Sequence, residues 1–234
     1  MPTVILARHG RTTANATGVL AGRSAGVHLD DHGIEQARQA AGRLEGLPLA
    51  RAVSSPMERC RETADLLVAG RGIEVQAEPG LVECDYGSWT GRSMKELVKE
   101  DLWKVVQAHP AGVRFPEGES MAEMSARAVS SVRDIDAVVA AEQGDDAIWL
   151  AVSHGDVIKA ILADALGLHL DQFQRIVADP ASLSVVRYTP TRPYVLGVNS
   201  SAGSLAHLVA QRSEKPEETI GGGAGSGAPA AAGH

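Results

Sequence analysis

Aromatic residues are scarce in this sequence, at 3% of 234 residues, so a folded core must be built mainly from Ala, Val, Leu and Ile. Cysteine is scarcer still: Cys60 and Cys84 are the two in the chain, and they form neither a disulfide framework nor a Cys-x-x-Cys metal motif. Basic residues are not in excess, since the formal net charge is −7, which argues against a nucleic-acid partner. An anion site would therefore require a local concentration of Arg and His.

Long apolar runs are also missing, and no charged N-terminal region precedes an apolar segment of the signal-peptide kind. We therefore expect no membrane association and a cytoplasmic location. The segment 213–234 is polar and then rich in Gly and Ala, a composition that cannot bury enough apolar surface to fold. The sequence predicts one domain over residues 1–212 and a flexible tail over 213–234.

Within that domain, short apolar runs alternate with segments of helical spacing. This alternation predicts a three-layer α/β fold, in which a mostly parallel central sheet has helices on both faces and a helical lid insertion at 85–118. The predicted strands lie at 3–7, 52–54, 73–75, 147–152, 183–188 and 194–198. The predicted helices lie at 31–44, 56–69, 94–109, 121–142 and 157–166, whereas 11–29 is predicted to be a loop.

Three of the predicted helix starts carry the capping-box pattern, in which a Ser is followed three residues later by Glu. These boxes are Ser55–Glu58, Ser93–Glu96 and Ser120–Glu123. Pro56 adds a residue that is favoured at the first helical position. The pattern therefore predicts a helix that begins directly after Ser55.

Two predicted strands end in nearly the same motif, Arg8-His9-Gly10 in one and Ser153-His154-Gly155 in the other. The carboxyl ends of neighbouring parallel strands meet at one edge of the sheet, and ligands bind there in α/β folds. Arg59 lies at the start of a helix that follows another strand, so it is expected at the same edge. Two imidazoles, two guanidiniums and nearby helix N-termini suit a phosphate or phosphoryl group.

In these motifs the sequence resembles the histidine phosphatase superfamily, which includes cofactor-dependent phosphoglycerate mutases and broad acid phosphatases. The resemblance extends from the first strand to about residue 166, and the segment after Glu83 is more similar to the phosphatase branch than to the mutase branch. Four blocks occur in the family's order: Arg8-His9-Gly10-x-Thr12-x-x-Asn15, Ser55-Pro56-x-x-Arg59, Glu83 before Tyr86-Gly87-x-Trp89-x-Gly91, and Ser153-His154-Gly155.

The resemblance implies a role for each matched residue. His9 would attack phosphorus and form a phosphohistidine, while Glu83 would protonate the leaving oxygen and then activate water. For the first task Glu83 needs a raised pKa. The phosphoryl group would be held by Arg8, Thr12, Asn15, Arg59 and His154. Among these, the two arginines and His154 would also stabilise charge during the transfer.

The predicted function is that of a phosphomonoester hydrolase that needs no metal and no cofactor and acts on a small phosphorylated substrate. A homodimer is left open. Two alternatives use the same site: phosphoglycerate mutase-type phosphotransfer, and non-catalytic binding of a phosphorylated ligand. A Gly-x-Ser-x-Gly pattern at 22–26 lies inside the predicted loop, without the strand and helix that a serine-hydrolase elbow requires.

Other side chains, two of them inside the third block, are assigned structural roles. No shared metal-ligand spacing links His28, His109, His169 and His207, which are interpreted as structural or surface residues. The two cysteines are interpreted as ordinary free thiols. Four aromatic residues of the lid region are expected to pack it onto the body of the domain: Tyr86, Trp89, Trp103 and Phe115.

Overall fold

A computed structural model describes residues 2–201 of the chain, and a six-stranded sheet lies at its centre. Its strands are β1 (Thr3–Arg8), β2 (Leu49–Ser54), β3 (Val75–Ala77), β4 (Ile148–Ser153), β5 (Leu183–Arg187) and β6 (Tyr194–Ser200). Their spatial order is β3-β2-β4-β1-β5-β6. The four strands from β3 to β1 are parallel, whereas β5 is antiparallel to β1 and β6 is antiparallel to β5. The prediction of a mostly parallel sheet is confirmed.

Seven α-helices surround this sheet in the described part of the chain. They are α1 (Thr13–Thr17), α2 (Asp31–Arg43), α3 (Glu58–Leu67), α4 (Met94–Leu97), α5 (Asp101–Ala108), α6 (Met121–Gln143) and α7 (Gly155–Ala165). Short 3-10 helices lie at Pro79–Leu81, Gly87–Trp89, Pro110–Gly112 and Leu170–Arg175. None of the helices described is both long and apolar enough to span a lipid bilayer. The predicted tail at 213–234 lies outside the described residues.

Side chains of β1 alternate between two separate hydrophobic clusters, as the pleat of a strand requires. Val4 and Leu6 contribute to a cluster that also contains the buried faces of α6 and α7. Ile5 and Ala7 contribute to a second cluster, which contains buried residues of α2 and α3. Helices therefore cover both faces of the sheet, and the predicted three-layer α/β architecture is confirmed.

The prediction of a loop over 11–29 is wrong at α1, which follows directly on the His9 motif. Thr12 and Asn15 form its capping box, since the Thr12 hydroxyl accepts from the Asn15 amide while Asn15 Oδ1 accepts from the Thr12 N–H. Gly18 ends the helix in the left-handed conformation at φ 66°. A helix this short carries no apolar periodicity, and Asn stands where the capping-box pattern has Glu or Gln.

The predicted helix start at Ser55 is wrong as well, because α3 begins at Glu58 after the extended residue Met57. The Ser55 hydroxyl lies 2.8 Å from Nε2 of the buried His154 ring. A buried ring nitrogen needs a hydrogen-bond partner more than a solvent-accessible helix end does. The other two predicted capping boxes, at Ser93 and Ser120, are present.

The single helix predicted from Ser93 to about residue 109 is instead divided into α4 and α5. Glu100 is extended between them, with φ −71° and ψ 140°. On one continuous helix, Leu97 and Trp103 would point roughly 120° apart. The break lets both side chains enter the same core, where they are 0% and 4% exposed.

Aromatic residues of the 85–118 segment pack against each other inside the main core. Ring centroids lie 5.0 Å apart for Tyr86 and Phe115, 5.4 Å for Trp89 and Phe115, and 6.4 Å for Trp89 and Trp103. All four side chains are buried in the cluster beneath α6 and α7. Their interpretation as packing residues is confirmed, and the function of this segment as a lid stays a prediction.

Close packing between α2 and the loop after β1 gives a test on one helix. A Cβ at Gly33 would overlap the carbonyl oxygen of Arg11, whereas a Cβ at Gly42 meets nothing within 4 Å. We expect Gly33→Ala to lower the free energy of unfolding by about 2 kcal/mol and Gly42→Ala to raise it by up to about 1 kcal/mol. Urea unfolding measures both, and effects of the same sign and size would contradict this packing.

Candidate active site

The carboxyl ends of three strands meet at one edge of the sheet. β4 is a parallel neighbour of both β1 and β2, and the backbone ladder continues one residue beyond each strand. The His9 amide donates to the Ser153 carbonyl at 3.0 Å, and the Ser55 amide donates to the Val152 carbonyl at 2.9 Å. Because His154 follows β4 directly, it lies beside His9 and Ser55 at this edge of the sheet.

The rings of His9 and His154 are neighbours at this edge. Their centroids lie 5.3 Å apart, with the ring planes at 63°. The two residues are 2% and 0% exposed. The structure therefore brings together two imidazoles that are 145 residues apart in the chain and removes both from solvent.

His9 has a defined tautomer because of the carbonyl oxygen of Gly10, which lies 2.7 Å from Nδ1. A carbonyl can only accept, so Nδ1 carries the proton. Burial, followed by the charges of Arg59 and Arg8, lowers the pKa of His9 well below its usual range. The ring is therefore neutral near neutral pH, and Nε2 keeps its lone pair.

His154 has the opposite tautomer. A guanidinium can only donate, so Arg59 Nη2, at 3.1 Å, makes His154 Nδ1 the acceptor. Nε2 then carries the proton and donates it to Ser55 Oγ at 2.8 Å, with Cys60 Sγ 3.4 Å from the same nitrogen. Burial and the Arg59 charge lower the pKa of His154 well below its ordinary value, so this ring is neutral too.

Both predicted arginines are buried beside the two rings. Arg8 Nη1 donates to the carbonyl of Ala178, and Arg59 Nη2 donates to the carbonyl of Gly22, each at 2.8 Å. Arg59 Nη1 is buried and, within residues 2–201, has no hydrogen-bond partner. Burial lowers the pKa of Arg8, although the carboxylate of Glu83 opposes that effect. A buried N–H of this kind suits an oxygen of a bound anion.

Glu83 lies at the same centre and is 2% exposed. Its Oε2 is 3.8 Å from His154 Nδ1, and its Oε1 accepts from the Cys84 amide at 2.9 Å. Burial, together with the nearby charge of Asp156, raises the pKa of Glu83 to about 7, although Arg59 acts in the other direction. The carboxyl group can therefore both hold and release a proton near neutral pH.

The remaining predicted site residues, Thr12 and Asn15, hydrogen-bond each other. The Thr12 hydroxyl is 2.9 Å from Asn15 Oδ1, and Thr12 is fully buried. These bonds form the N-cap of α1, which stabilises the loop that follows His9. Their role in holding a phosphoryl group stays a prediction.

Sequence reasoning missed three residues around this centre. Ser55, interpreted as a helix cap, hydrogen-bonds His154; its position in the second motif block was the available signal. Asp156, two residues after His154, is buried and accepts from the Tyr86 hydroxyl at 2.9 Å. Arg127 contacts the main chain of Glu83, and no sequence signal pointed to it.

The cysteines next to matched residues are protonated thiols at neutral pH. Burial raises the pKa of Cys60 to about 12 and that of Cys84 further still. Since the thiolate is the reactive form, neither residue is activated as a nucleophile. Both are free in the described structure, as the sequence indicated.

Three of the four histidines that lack a metal-ligand spacing contact carboxylates. His28 contacts Glu62, while His109 and His169 lie 2.8 Å and 3.1 Å from the same carboxylate oxygen of Asp171. Within residues 2–201, no three His, Cys, Asp or Glu side chains are arranged to hold a metal ion. The fourth of these histidines, His207, lies outside the described residues.

Burial of Glu83 makes stability depend on pH. Its folded pKa of about 7 exceeds the ordinary 4.5, so between these values the folded state keeps a proton that the unfolded state has lost. Stability conferred by that proton is present below about pH 4.5 and is lost as the pH rises through about 7. Glu83→Gln removes this titration. We expect the wild type to lose about 3 kcal/mol relative to Glu83→Gln between about pH 5 and about pH 8.

Urea unfolding of both proteins at the two pH values measures this difference. Glu45→Gln is the matched control, because Glu45 is an exposed carboxylate in the loop after α2. Parallel pH dependence of the wild type and Glu83→Gln would show that the carboxyl group does not titrate in the folded state as described.

Comparison with known proteins places the chain in a family. Residues 4–201 match the family described as histidine phosphatase superfamily, branch 1. A protein of Yersinia pestis (strain Pestoides F), named "Probable phosphoglycerate mutase GpmB", is 32% identical over 208 residues, which cover 88% of this chain and 94% of that protein.

Solved structures share the fold over most of the chain. Bacillus stearothermophilus YhfR has a TM-score of 0.79 at 25% identity, covering 86% of this chain and 98% of its own. Phosphoserine phosphatase from Entamoeba histolytica, solved in complex with 3-phosphoglyceric acid, has a TM-score of 0.76 at 25% identity and the same coverage. For the alpha-ribazole phosphatase from Shigella flexneri the TM-score is 0.73 at 25% identity, and the match covers 86% of this chain and 98% of that one. The chain therefore belongs to the histidine phosphatase superfamily, branch 1.

Proposed function

We propose that this protein is a phosphomonoester hydrolase that acts through a phosphohistidine on His9. The observation that supports this most is the neutral, buried ring of His9, whose Nδ1 is held by the Gly10 carbonyl while Arg59 and Arg8 lower its pKa. Such a ring is a nucleophile at neutral pH without prior loss of a proton. Metal and cofactor have no part in the proposed mechanism.

The first step transfers the phosphoryl group to His9. The lone pair of Nε2 attacks phosphorus, a P–N bond forms, and the P–O bond to the leaving group breaks on the opposite side. The electron pair of that bond moves to the leaving oxygen, which takes the proton of the Glu83 carboxyl group. Guanidinium donors of Arg8 and Arg59 stabilise the phosphoryl oxygens, and His154, Thr12 and Asn15 complete the binding site.

The second step releases phosphate. Glu83, now a carboxylate, takes a proton from a water molecule whose oxygen attacks phosphorus. The P–N bond breaks and its electron pair returns to Nε2, which restores the neutral ring of His9. One carboxyl group therefore serves as acid and then as base, which suits a pKa near the working pH.

The substrate that we propose is a small phosphorylated molecule. Two of the similar solved structures are named as an alpha-ribazole phosphatase and a phosphoserine phosphatase, and the second was solved with 3-phosphoglyceric acid. These names favour small phosphate monoesters of alcohols. A neutral ring beside two guanidiniums also suits a dianionic phosphoryl group better than a larger anion with dispersed charge.

One observation favours the alternative of phosphoglycerate mutase-type phosphotransfer: the curated relatives that are 32% identical are named as probable phosphoglycerate mutases. In that reaction the phosphoryl group on His9 passes to another hydroxyl group of the substrate instead of to water. The alternative of a non-catalytic binder predicts affinity for phosphorylated ligands without turnover.

Phosphate release and mutase turnover, measured side by side, separate these functions. We expect the wild type to release inorganic phosphate from p-nitrophenyl phosphate and from 3-phosphoglycerate, and to interconvert phosphoglycerates more slowly than it hydrolyses them. His9→Ala is expected to reduce phosphate release by about 1,000-fold or more, because it removes the nucleophile. His32→Ala, at an exposed position of α2, is the matched histidine control and should leave the rate unchanged.

Each competing outcome has its own meaning. Mutase turnover faster than phosphate release would identify a phosphotransferase, and binding of phosphate esters without either reaction would identify a binder. Activity that a chelator abolishes and added Mg²⁺ restores would contradict the metal-free mechanism.

A further inference from the structure

Three main-chain carbonyls around Glu83 accept hydrogen bonds from one guanidinium, that of Arg127 on α6. Nη1 donates to the carbonyl of Gly80 at 2.9 Å and to that of Val82 at 2.7 Å. Nη2 donates to the carbonyl of Glu83 itself at 3.0 Å. Arg127 therefore holds the backbone that carries the proposed acid.

A second residue, Glu119, holds this guanidinium in place. Its Oε1 accepts from Arg127 Nη2 at 2.7 Å and from the Asp85 amide at 2.8 Å, and its Oε2 accepts from Arg127 Nε at 3.1 Å. Arg23 also donates from Nη2 to Glu119 Oε1 and from Nε to the Glu83 carbonyl, each at 2.8 Å. Charge-assisted bonds of this kind are among the stronger ones in proteins, and here they are partly shielded from solvent.

The segment that these residues hold has no regular structure of its own between the 3-10 helices that end at Leu81 and begin at Gly87. The Ser153 hydroxyl anchors one end of it by donating to the Leu81 carbonyl at 2.8 Å. Beyond that point Cys84 and Tyr86 are buried in the core, and the side chains of Arg127, Glu119 and Arg23 hydrogen-bond the backbone of Val82, Glu83 and Asp85. The position of the Glu83 carboxyl group relative to the two histidines therefore depends on them.

We propose that Arg127 and Glu119 are positioning residues for proton transfer by Glu83. They keep the Glu83 backbone where its carboxyl group stands beside the leaving oxygen of the substrate. This inference rests on the proposed phosphatase function, because it concerns the proton donor of that reaction. A loss of about one ångström in such alignment is enough to slow a proton transfer greatly.

A merely structural role for Arg127 makes a different prediction. If the guanidinium only joins α6 to the body of the domain, its loss weakens catalysis of every ester alike. If it positions the acid, the loss depends on how much the leaving group needs a proton. Phenyl phosphate and p-nitrophenyl phosphate have nearly the same shape, but phenolate is a much stronger base than p-nitrophenolate and needs protonation more.

The test compares kcat/KM for these two esters, because kcat/KM reports the steps up to loss of the leaving group. We expect Arg127→Met to lower kcat/KM for phenyl phosphate by about 10-fold or more and for p-nitrophenyl phosphate by about 3-fold or less. In a Glu83→Gln background, where no acid remains to be positioned, Arg127→Met should change either value by less than about 2-fold. Arg127→Lys, with fewer donors, should fall between the wild type and Arg127→Met.

Arg133→Met is the matched control on the same helix, since Arg133 pairs with Asp164 at the surface and should leave both values unchanged. Equal losses for the two esters, or an undiminished loss in the Glu83→Gln background, would overturn the positioning role. If circular dichroism shows that Arg127→Met does not fold, Glu119→Gln is judged by the same two criteria. A wild type that hydrolyses neither ester overturns the proposed function and this inference with it, whereas equal losses in an active enzyme overturn this inference alone.

Discussion

Burial of two imidazoles beside two guanidiniums is the constraint on which the rest of the site depends. Desolvation and the adjacent positive charges both disfavour a second proton on His9 and His154, so both rings stay neutral. Each neutral ring has one N–H that needs an acceptor and one nitrogen with a lone pair. The two rings differ in which nitrogen carries the proton. His9 donates to the Gly10 carbonyl and keeps Nε2 available, whereas His154 accepts from Arg59 and donates to Ser55. The proposed nucleophile and a ring whose two nitrogens are both hydrogen-bonded thus arise from the same residue type.

The architecture supplies this constraint through the parallel sheet. Because β4 is a parallel neighbour of both β1 and β2, the residues that follow these three strands lie together at one buried edge of the sheet. The same burial raises the pKa of Glu83, so ionisation of this group costs folding free energy. The raised pKa also suits the acid and base role that we propose for it. Stability and catalysis therefore make opposite demands on one carboxyl group. The main-chain bonds from Arg127 hold that group in place without touching its side chain.

Much of the fold was predictable because its signals are local. Apolar runs predicted the strands of the sheet, although the run at 73–75 shares only Val75 with β3. The repeated motif around His9 and His154 predicted a shared edge. The failures have two physical causes: α1 is too short to carry a periodic signal, and elsewhere tertiary partners override the local pattern. Ser55 is followed by Pro56 and Glu58, as in a capping box, but its hydroxyl hydrogen-bonds the buried ring of His154. Arg127 was unpredictable, because its acceptors are backbone carbonyls 44 or more residues away in the chain, and backbone acceptors have no sequence signature.

The covalent intermediate tests the central claim most directly. Mixing the enzyme with p-nitrophenyl phosphate, quenching in alkali, where phosphohistidine survives, and mapping the modified peptide by mass spectrometry locates any phosphoryl group. The buried, neutral Nε2 of His9 predicts a phosphoryl group on His9 that forms and decays at the rate of turnover. Phosphate release with no phosphorylated histidine, or with the phosphoryl group on His154, would contradict the account.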